Sequence, residues 1–466
     1  MKRTRFLGLA AAASLWMTQL SFGQSPVTPE EAFEIAKEAY IYAYPQVLVN
    51  KTGEVATNVE VPNFPTAPFN QIAHARAFPD DTFTIVVRPN ADTLYSTLSF
   101  DVSKEPLLFH IPASQGRYYL MVFMDNWSEV FASIGSRTNG NGEITFAIVG
   151  PDWVGKLPDG VREYRSPTGK GLLIGRTQTN GKSDYAAVHQ FQDGMKVAPL
   201  SRFHSKEAAP KGTVSQTQDM SPPPTQVDTM SGEDFFAYFT QLWAQNPPHG
   251  IDYPILDRLE RIGLIAGQRF DFEKAPAHVK EAIKQAPAPA LAEIKETWKI
   301  SGHFSNGWRT NLTAIGTYGA DYLHRAAVAY GALGANVPED ALYPTTFVDE
   351  SGKRLDSGKR YILHFEKGQL PPVRAFWSLT MYDDKQLFSA NELSRFAIGD
   401  RDPLLVNDDG SVDIYIQRDN PGDGKTINWL PTPKAGNFSM NMRLYWPRHE
   451  ASSGQWTPPP VREVSP

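Results

Sequence analysis

The most informative absence in this sequence of 466 residues is cysteine, which does not occur at all. Disulfide bonds, a thiolate nucleophile and cysteine-ligated metal ions are therefore excluded. Clusters of positive charge are also missing, because no run of Lys or Arg follows the first five residues. The formal net charge is −6. This mild acidity argues against nucleic acid or an anionic membrane surface as a partner.

The common catalytic sequence motifs are missing as well. Neither the G-x-S-x-G of serine hydrolases nor the H-E-x-x-H of zinc proteases occurs. Residues 150–156 have the glycine and lysine spacing of a phosphate-binding loop, but Leu157 stands where the magnesium-binding Ser or Thr belongs. His189 and Asp193 could offer metal ligands across a strand, although an isolated His is more often a hydrogen-bonded structural residue. No cofactor is evident, and no motif supports a metal ion.

One long apolar stretch lies close to the N-terminus. The fifteen residues from Phe6 to Leu20 follow three positive residues, and small residues at Ser21 and Gly23 precede Gln24. The stretch is shorter than the ~20 residues that a spanning helix needs. The pattern is that of a cleaved signal peptide over residues 1–23, which predicts a periplasmic or secreted protein cut after Gly23. No later segment is apolar enough to span a membrane.

Residues 24–204 predict one helix followed by a β-sandwich. The helix is expected over residues 28–44, with a Thr-Pro start, and Pro45 is expected to end or kink it. Its last turns alternate in tyrosine, which fits either packing across a sheet edge or a tyrosine-lined ligand wall: Tyr40, Tyr42 and Tyr44.

From about residue 82 to 195 the sequence has the pattern of short strands. β-Branched and aromatic residues form brief runs between clusters of Gly, Asn, Asp and Pro. Several strands at this spacing predict a sandwich. The predicted strands are Thr82–Val87, Leu94–Phe100, Leu107–Ile111, Tyr118–Phe123, Ile144–Val149 and Gly171–Arg176.

The rest of the chain divides by the same criteria. Residues 205–230 are Pro-rich and lack periodicity, which predicts a linker. Helical periodicity follows over residues 231–340, β alternation returns over 341–450, and 451–466 form a Pro-rich tail. The predicted helices are one capped by Ser231, one over Asp252–Ile265, two within Val279–Ile300 split near Pro287, and one over Tyr322–Leu333. The predicted C-terminal strands are Tyr361–Phe365, Arg374–Tyr382, Val412–Gln417 and Phe438–Tyr445.

Polar side chains concentrate where two of the predicted strands meet their turns. The candidate residues stand at the entrance to the strand at 94–100 and at the end of the strand at 118–123: Arg88, Asn90, Asp92, Thr93, Tyr95, Asp125, Asn126 and Trp127. In a pleated strand, Asn90 and Asp92 share one face while Thr93 and Tyr95 share the other. One interpretation is a structural turn in which Asn90 and Asp92 bond neighbouring backbone. The other is a pocket rim with Asp92 or Asp125 as general acid or base.

Motifs along nearly the whole chain resemble two domains of unknown function. The N-terminal motifs, similar to the domain numbered 1254, are Arg88–Ser96, Phe100–Ser103, Arg117–Tyr119, Gly150-Pro151, Gly175–Thr177 and Asp184. The C-terminal motifs, similar to the domain numbered 1214, are Arg374–Asp383, Asn407–Val412, Asn428–Pro431 and Arg443–Tyr445. The resemblance implies a mainly β fold with an immunoglobulin-like β-sandwich, a helical middle segment and a C-terminal jelly roll shaped like that of a glycan-releasing amidase. It supplies no agreed catalytic residues, and fold likeness alone transfers no activity.

Two functions from different classes follow as hypotheses. The first is binding, and hydrolysis by an Asp-activated water, of a small organic or glycan-derived ligand between the domains. The second is a non-catalytic binding or assembly module of the cell envelope that uses aromatic platforms such as Trp377, Trp429 and Trp446; either could act as a homo-oligomer. Two carboxylates within about 10 Å in one pocket would favour the enzyme. The candidate catalytic residues are Asp92 and Asp125, and the candidate ligand-binding residues are Arg88, Asn90, Thr93, Tyr95, Trp127 and Arg176.

Overall fold

The computed structural model describes residues 26–84, 87–422 and 424–464. The predicted signal peptide therefore lies outside the described residues. In chain order the helices are α1 (Pro29–Thr57), α2 (Ser136–Asn139), α3 (Tyr185–Asp193), α4 (Pro223–Asp228), α5 (Gly232–Leu242), α6 (Tyr253–Glu260), α7 (Ala277–Gln285), α8 (Pro287–Ile300), α9 (Tyr322–Ala332) and α10 (His449–Ser452).

The strands fall into an N-terminal and a C-terminal group. The first group is β1 (Ala73–His74), β2 (Thr93–Asp101), β3 (Leu107–Ile111), β4 (Tyr119–Asp125), β5 (Val130–Gly135), β6 (Ile144–Val149), β7 (Arg162–Arg165), β8 (Lys170–Gln178) and β9 (Lys196–Pro199). The second group is β10 (His303–Ser305), β11 (Trp308–Thr310), β12 (Ala341–Leu342), β13 (Thr345–Thr346), β14 (Arg360–Phe365), β15 (Val373–Tyr382), β16 (Ala397–Gly399), β17 (Val412–Gln417), β18 (Trp429–Pro431), β19 (Ser439–Pro447) and β20 (Val461–Val464). The chain is mainly β with a helical middle segment, as predicted.

Helix α1 is longer than the sequence predicts. Thr28 caps it by accepting a hydrogen bond from the Glu31 amide at 3.2 Å, as expected. Pro45 was predicted to end or kink the helix; the first alternative was wrong, because the helix continues through Pro45 to Thr57. Nearly every side chain between Ala39 and Val49 is buried, so packing on all sides outweighs the hydrogen bond that Pro45 cannot donate.

The N-terminal strands form two sheets that share one core. Five strands are ordered β1-β2-β8-β4-β5, and four are ordered β7-β6-β3-β9, with only β6 and β7 parallel in these two sheets. Aromatic side chains from both sheets interlock in the core, where the Phe109 ring stacks on Phe146 and meets Phe123 edge-on. Of the predicted strand Thr82–Val87, Ile85 and Val86 lie outside the described residues, and the remaining residues are not in a strand.

The middle helices surround α1 rather than standing apart from it. Buried residues of α1, α5, α6, α7, α8 and α9 form one hydrophobic core, in which the Tyr40 ring stacks on Phe235 at 4.2 Å. Helix α4 lies inside the segment that the sequence indicates to be a linker. The predicted break near Pro287 is confirmed, since α7 ends at Gln285 and α8 begins at Pro287. No helix in the described part of the chain is both long and apolar enough to cross a membrane.

The C-terminal strands also form two sheets over a shared core. One runs β10-β11-β13-β19-β15-β16, with β12 also paired to β19, and the other runs β18-β17-β14-β20. Trp377 and Trp429 are 2% and 1% exposed, so they belong to the interior and are not platforms on the surface. The end of the predicted Pro-rich tail is ordered, because β20 pairs with β14 through Val461 opposite Leu363.

Candidate functional site

The predicted residues near Asp92 lie where the N-terminal sheet meets the C-terminal domain. Asn90 Oδ1 accepts hydrogen bonds from the backbone amides of Asp92 (2.7 Å) and Thr93 (3.1 Å). Asn90 Nδ2 donates to the Tyr445 hydroxyl at 2.9 Å and to the Tyr95 hydroxyl at 3.2 Å. The amide side chain thus closes a strand-entry turn and ties that turn to β19.

Asp92 is fully buried and its carboxylate is already engaged. One oxygen accepts a 2.6 Å hydrogen bond from Ser378 Oγ, and the other forms an ion pair with Arg401. Arg401 also donates to the carbonyl oxygens of Asp92 and Thr179 and lies over the Phe376 ring. With both oxygens held by the C-terminal domain, Asp92 is placed to join the two domains rather than to meet a ligand.

The other predicted residues around Asp92 are close to one another. Arg88 donates from Nε to Gln386 Oε1 at 3.0 Å, and Arg176 lies 5.2 Å from the centre of the Tyr95 ring. Burial raises the pKa of Tyr95, but the nearby positive charges of Arg176 and Arg443 and the Asn90 hydrogen bond outweigh burial and lower it. The structure therefore brings Arg88, Asn90, Asp92, Thr93, Tyr95 and Arg176 into one region.

Asp125 is far from that region. It ends β4 opposite Gly171, whereas Asp92 lies beside Thr179, whose amide donates to the Asp92 carbonyl at 3.0 Å. Eight residues along an extended strand separate Gly171 from Thr179, which corresponds to roughly 26 Å. The two predicted catalytic carboxylates stand at opposite ends of the same sheet and cannot act as one acid–base pair.

Asp125 instead forms a pair with a histidine from the helical segment. Its Oδ1 accepts from the backbone amides of Trp127 (2.8 Å) and Glu129 (3.0 Å), which fixes the carboxylate in place. Its Oδ2 lies 2.5 Å from His249 Nε2. Asp125 is fully buried, whereas the His249 side chain keeps 18% of its surface exposed. The imidazole therefore connects a buried carboxylate to solvent.

A second carboxylate lies on the other side of the same imidazole. Asp252 Oδ2 accepts from the His249 amide and from the Tyr42 hydroxyl, both at 2.9 Å, and Oδ1 accepts from the Tyr322 hydroxyl at 3.0 Å. His249 Nδ1 is 3.8 Å from Asp252 Oδ2, which is too far for a direct hydrogen bond. Asp125 and Asp252 thus flank one ring, within the separation expected of a catalytic carboxylate pair.

Arg325 completes this cluster and is its most unusual member. Its side chain is fully buried, yet none of its three guanidinium nitrogens has a hydrogen-bond partner among the described residues. The guanidinium lies over the rings of Tyr42, Trp127 and Tyr322 at 5.1 to 5.4 Å, and Glu129 Oε1 is 3.8 Å away. Buried polar groups without partners are rare, and they mark places where a ligand or water belongs. We call Asp125, Glu129, His249, Asp252 and Arg325 the His249 cluster.

The protonation behaviour of the cluster suits acid–base chemistry. Burial lowers the pKa of His249, but its hydrogen bond to Asp125 and the charge of Asp125 outweigh burial and raise it. Burial raises the pKa of Glu129, an effect that its bond from Tyr318 and the charge of Arg325 only partly offset. A histidine that is hydrogen-bonded to a buried carboxylate and has a raised pKa is a candidate acid–base group.

Sequence reasoning found Asp125 and Trp127 but missed the other members of the cluster. His249 follows two prolines at a helix start, Asp252 sits in the first turn after it, and Arg325 lies within α9. No short motif contains these residues, because they come from separate segments of the chain. The alternating tyrosines of α1 carried the nearest signal, since Tyr42 bonds Asp252 and packs on Trp127 at 4.7 Å.

No group of three or more His, Cys, Asp or Glu side chains within the described ranges could hold a metal ion. The predicted placement of His189 on a strand was wrong: it lies on helix α3, where its Nε2 is 2.7 Å from the Arg76 carbonyl oxygen. Helix α3 packs through its buried residues Val188 and Phe191, and the Tyr185 ring meets Phe78 edge-on.

Comparisons with protein families agree with the two-domain resemblance. The family model described as protein of unknown function DUF1254 matches residues 69–199. The family model described as protein of unknown function DUF1214 matches residues 340–449. Asp125, Glu129 and Trp127 fall within the first match, whereas His249, Asp252 and Arg325 lie between the two matches. The chain therefore builds its cluster from residues inside and outside the recognised domains.

Comparison with one solved structure supports the fold. The crystal structure of VPA0106 from Vibrio parahaemolyticus aligns over 93% of this chain and 100% of its own, with 22% identity and a TM-score of 0.71. An uncharacterised protein from Burkholderia cenocepacia aligns over 94% of each chain, with 11% identity and a TM-score of 0.44. No curated protein matches the chain. At these identities the likeness concerns the fold alone.

Proposed function

We propose that this chain, which combines a DUF1254 domain with a DUF1214 domain, binds a small organic or glycan-derived ligand beside His249 and hydrolyses it. The observation that carries the proposal is the buried Asp125–His249 pair next to Arg325, whose guanidinium has no hydrogen-bond partner among the described residues. The site lies between the N-terminal sheet and the helical segment, so it is an inter-domain site.

The proposed chemistry assigns a role to each polar group. Asp125 accepts a hydrogen bond from Nε2 of His249. Because Nε2 then carries the proton of the neutral ring, Nδ1 is the basic nitrogen. Nδ1 removes a proton from water as that water attacks the ligand, and Asp125 stabilises the resulting imidazolium. The same proton then passes to the leaving group as the bond to it breaks. Arg325 binds the oxygen on which negative charge develops.

The charge of the cluster supports a role for protons rather than a fixed ion pair. Glu129 lies 3.8 Å from the Arg325 guanidinium, and Asp125 and Asp252 both lie against His249. Holding several like charges in a buried site favours proton uptake by one of its members. His249 and Glu129 keep 18% and 15% of their side-chain surface exposed, and His249 bonds the buried Asp125 carboxylate, which supports His249 as the group through which protons enter and leave.

The test uses a matched pair of histidines. His249→Gln should lower hydrolysis by about 10²–10⁴-fold, the usual contribution of a general base. His364→Gln is the control, because His364 Nδ1 lies 2.6 Å from Asp413 in the C-terminal domain, far along the chain from the cluster. The probes are 4-nitrophenyl acetate, 4-nitrophenyl N-acetyl-glucosaminide and alanine 4-nitroanilide, followed by absorbance of the released chromophore.

The pH dependence gives an independent check. A general base must be unprotonated, and the pKa of His249 is raised above the usual value of about 6.5. Activity should therefore rise with pH through that pKa. In Asp125→Asn the rise should move to lower pH, because the substitution removes the hydrogen bond and the charge that raise the pKa of His249. Equal turnover in wild type and His249→Gln would contradict the proposal.

The non-catalytic alternative uses the same place in a different way. Every oxygen of Asp125 and Asp252 already has a hydrogen-bond partner, as in a static binding site. In that case Arg325 would hold a ligand without any bond being broken. Retained binding of a probe that is never hydrolysed, together with loss of that binding in Arg325→Met, would favour this module.

We also propose export to the periplasm or beyond, on the basis of the N-terminal signal pattern. Protein purified from the periplasm should begin at Gln24 when its N-terminus is sequenced. Recovery of the intact chain with Met1 from the cytoplasm would contradict export.

A further inference from the structure

A cavity of about 210 Å³ lies between the second half of α1 and one end of strands β2, β8 and β4 in the five-stranded sheet. Gly53 and Glu54 of α1, Ser99 of β2, Lys170 of β8 and Asn126 after β4 line it. It shares no residue with the His249 cluster. Its volume is below the roughly 300–1,000 Å³ of sites for drug-sized ligands, so its occupant is a small molecule.

Asn126 gives the first sign that the cavity binds a polar ligand. The residue is 2% exposed, and its Oδ1 has no hydrogen-bond partner within the described chain. Its backbone amide is held by Thr168 Oγ1 at 3.0 Å, and the residue is one of those that line the cavity. Leaving a buried amide oxygen unpaired is costly, and a donor on a bound ligand would remove that cost.

Gly53 gives the second sign. It lies in the interior of α1, where glycine destabilises a helix relative to alanine. A Cβ atom at this position would have Ser99 Oγ, at 4.0 Å, as its nearest neighbour. Packing therefore does not require glycine here: alanine would also fit, whereas a larger side chain would extend into the cavity.

The charges of the lining disfavour an ion of either sign. Lys170 and Glu54 carry opposite charges. Glu54 is already bound by the Tyr238 hydroxyl at 2.6 Å and by Lys51 Nζ at 2.8 Å, so it is not free for a cation. An anion would be attracted by Lys170 but repelled by the carboxylate of Glu54. A ligand without net charge fits better.

The amide groups of the lining indicate the class of ligand. Four amide side chains line the cavity: Asn50, Asn58, Asn126 and Gln218. The side-chain nitrogens of Asn50, Asn58 and Gln218 already donate within the protein, and Asn58 Oδ1 accepts from the Ser215 amide. The amide oxygens of Asn50, Asn126 and Gln218 accept no hydrogen bond from the described residues, and such acceptors match a ligand with several donors, as hydroxyl groups are. Phe69 and Leu172 add apolar surface for the carbon skeleton. We propose that this cavity binds a neutral polyhydroxyl compound of about monosaccharide size.

The experiment compares ligand classes on the full chain. D-Glucose, myo-inositol and glycerol are the polyhydroxyl probes, L-alanine tests a zwitterion, and inorganic phosphate tests an anion. Binding is measured by titration calorimetry and by saturation-transfer NMR. At least one polyhydroxyl probe should bind more tightly than alanine and phosphate. Preferred binding of alanine or phosphate, or no binding of any polyhydroxyl probe, would overturn the assignment.

Two substitutions at one position locate the binding. Gly53→Leu should fill the cavity and weaken binding by about tenfold or more, whereas Gly53→Ala should retain it because its Cβ meets no close neighbour. If Gly53→Leu does not fold, Asn126→Ala takes its place and should also weaken binding. Unchanged affinity in the folded variant would refute the site. His249→Gln should leave this binding intact, which separates it from the hydrolysis proposed above.

Discussion

Replacing Asp92 by asparagine distinguishes a structural clamp from a catalytic residue. The substitution keeps the size of the side chain and an acceptor for Ser378 Oγ, which bonds Asp92 at 2.6 Å. It removes the negative charge that faces Arg401. Arg401 would keep its bonds to the carbonyl oxygens of residue 92 and Thr179, but its charge would have no counterpart.

The magnitude follows from the burial of the pair. Breaking a buried ion pair by removing one partner costs about 3–5 kcal/mol. Because the Arg401 side chain keeps 20% of its surface exposed, water screens part of its charge, and we expect the lower end, about 3 kcal/mol. If the N-terminal domain unfolds as a unit of 150–250 residues, its melting temperature should fall by roughly 6–12 °C.

Calorimetry and hydrogen exchange measure the effect, with Asp193→Asn as the matched control. Asp193 pairs with Arg76 at the surface, where the side chains are 60% and 45% exposed, so its loss should cost about 1 kcal/mol or less. The Thr179 amide, which bonds the carbonyl of residue 92, should exchange faster in Asp92→Asn. A melting temperature no lower than that of the control would refute the clamp. Unchanged melting combined with lost activity would restore Asp92 as a catalytic candidate.

Three further outcomes follow from the packing and the titrating groups. Trp377→Ala should cost about 3–5 kcal/mol, seen as a lower urea midpoint, because the indole is 2% exposed in the C-terminal core; an unchanged midpoint would contradict that placement. Burial, with a contribution from Arg76, lowers the pKa of His74 to about 4, so stability should fall by up to about 3 kcal/mol as pH drops from 6.5 to 4, and His74→Gln should abolish this fall in pH-dependent melting. Gly171→Ala should lower the melting temperature of the N-terminal domain, because the new Cβ would clash with the backbone carbonyl of Met124; melting like that of wild type would show that the strands can separate.

The candidate site was only half predictable, for a physical reason visible in Asp125. The sequence places this carboxylate at the end of a strand, where a functional residue is plausible. Its partner His249 is 124 residues away, and Arg325 comes from a third segment. Local pattern carries no information on which distant side chain will meet a carboxylate. Asp92 illustrates the converse, since only Ser378 and Arg401 from the other domain show that its oxygens are occupied.

The sequence by itself determined the class of most segments and several of their borders. The strands at Leu107–Ile111, Ile144–Val149 and Val412–Gln417 have the predicted bounds, because runs of β-branched and aromatic residues bounded by turn residues are a local property of the sequence. Only the tertiary structure shows the outcomes that depend on long-range packing. Helix α1 continues through Pro45, β20 pairs with β14, and Asp125 lies beside His249. These outcomes depend on groups far apart in the chain, and their energies exist only once the segments are folded against one another.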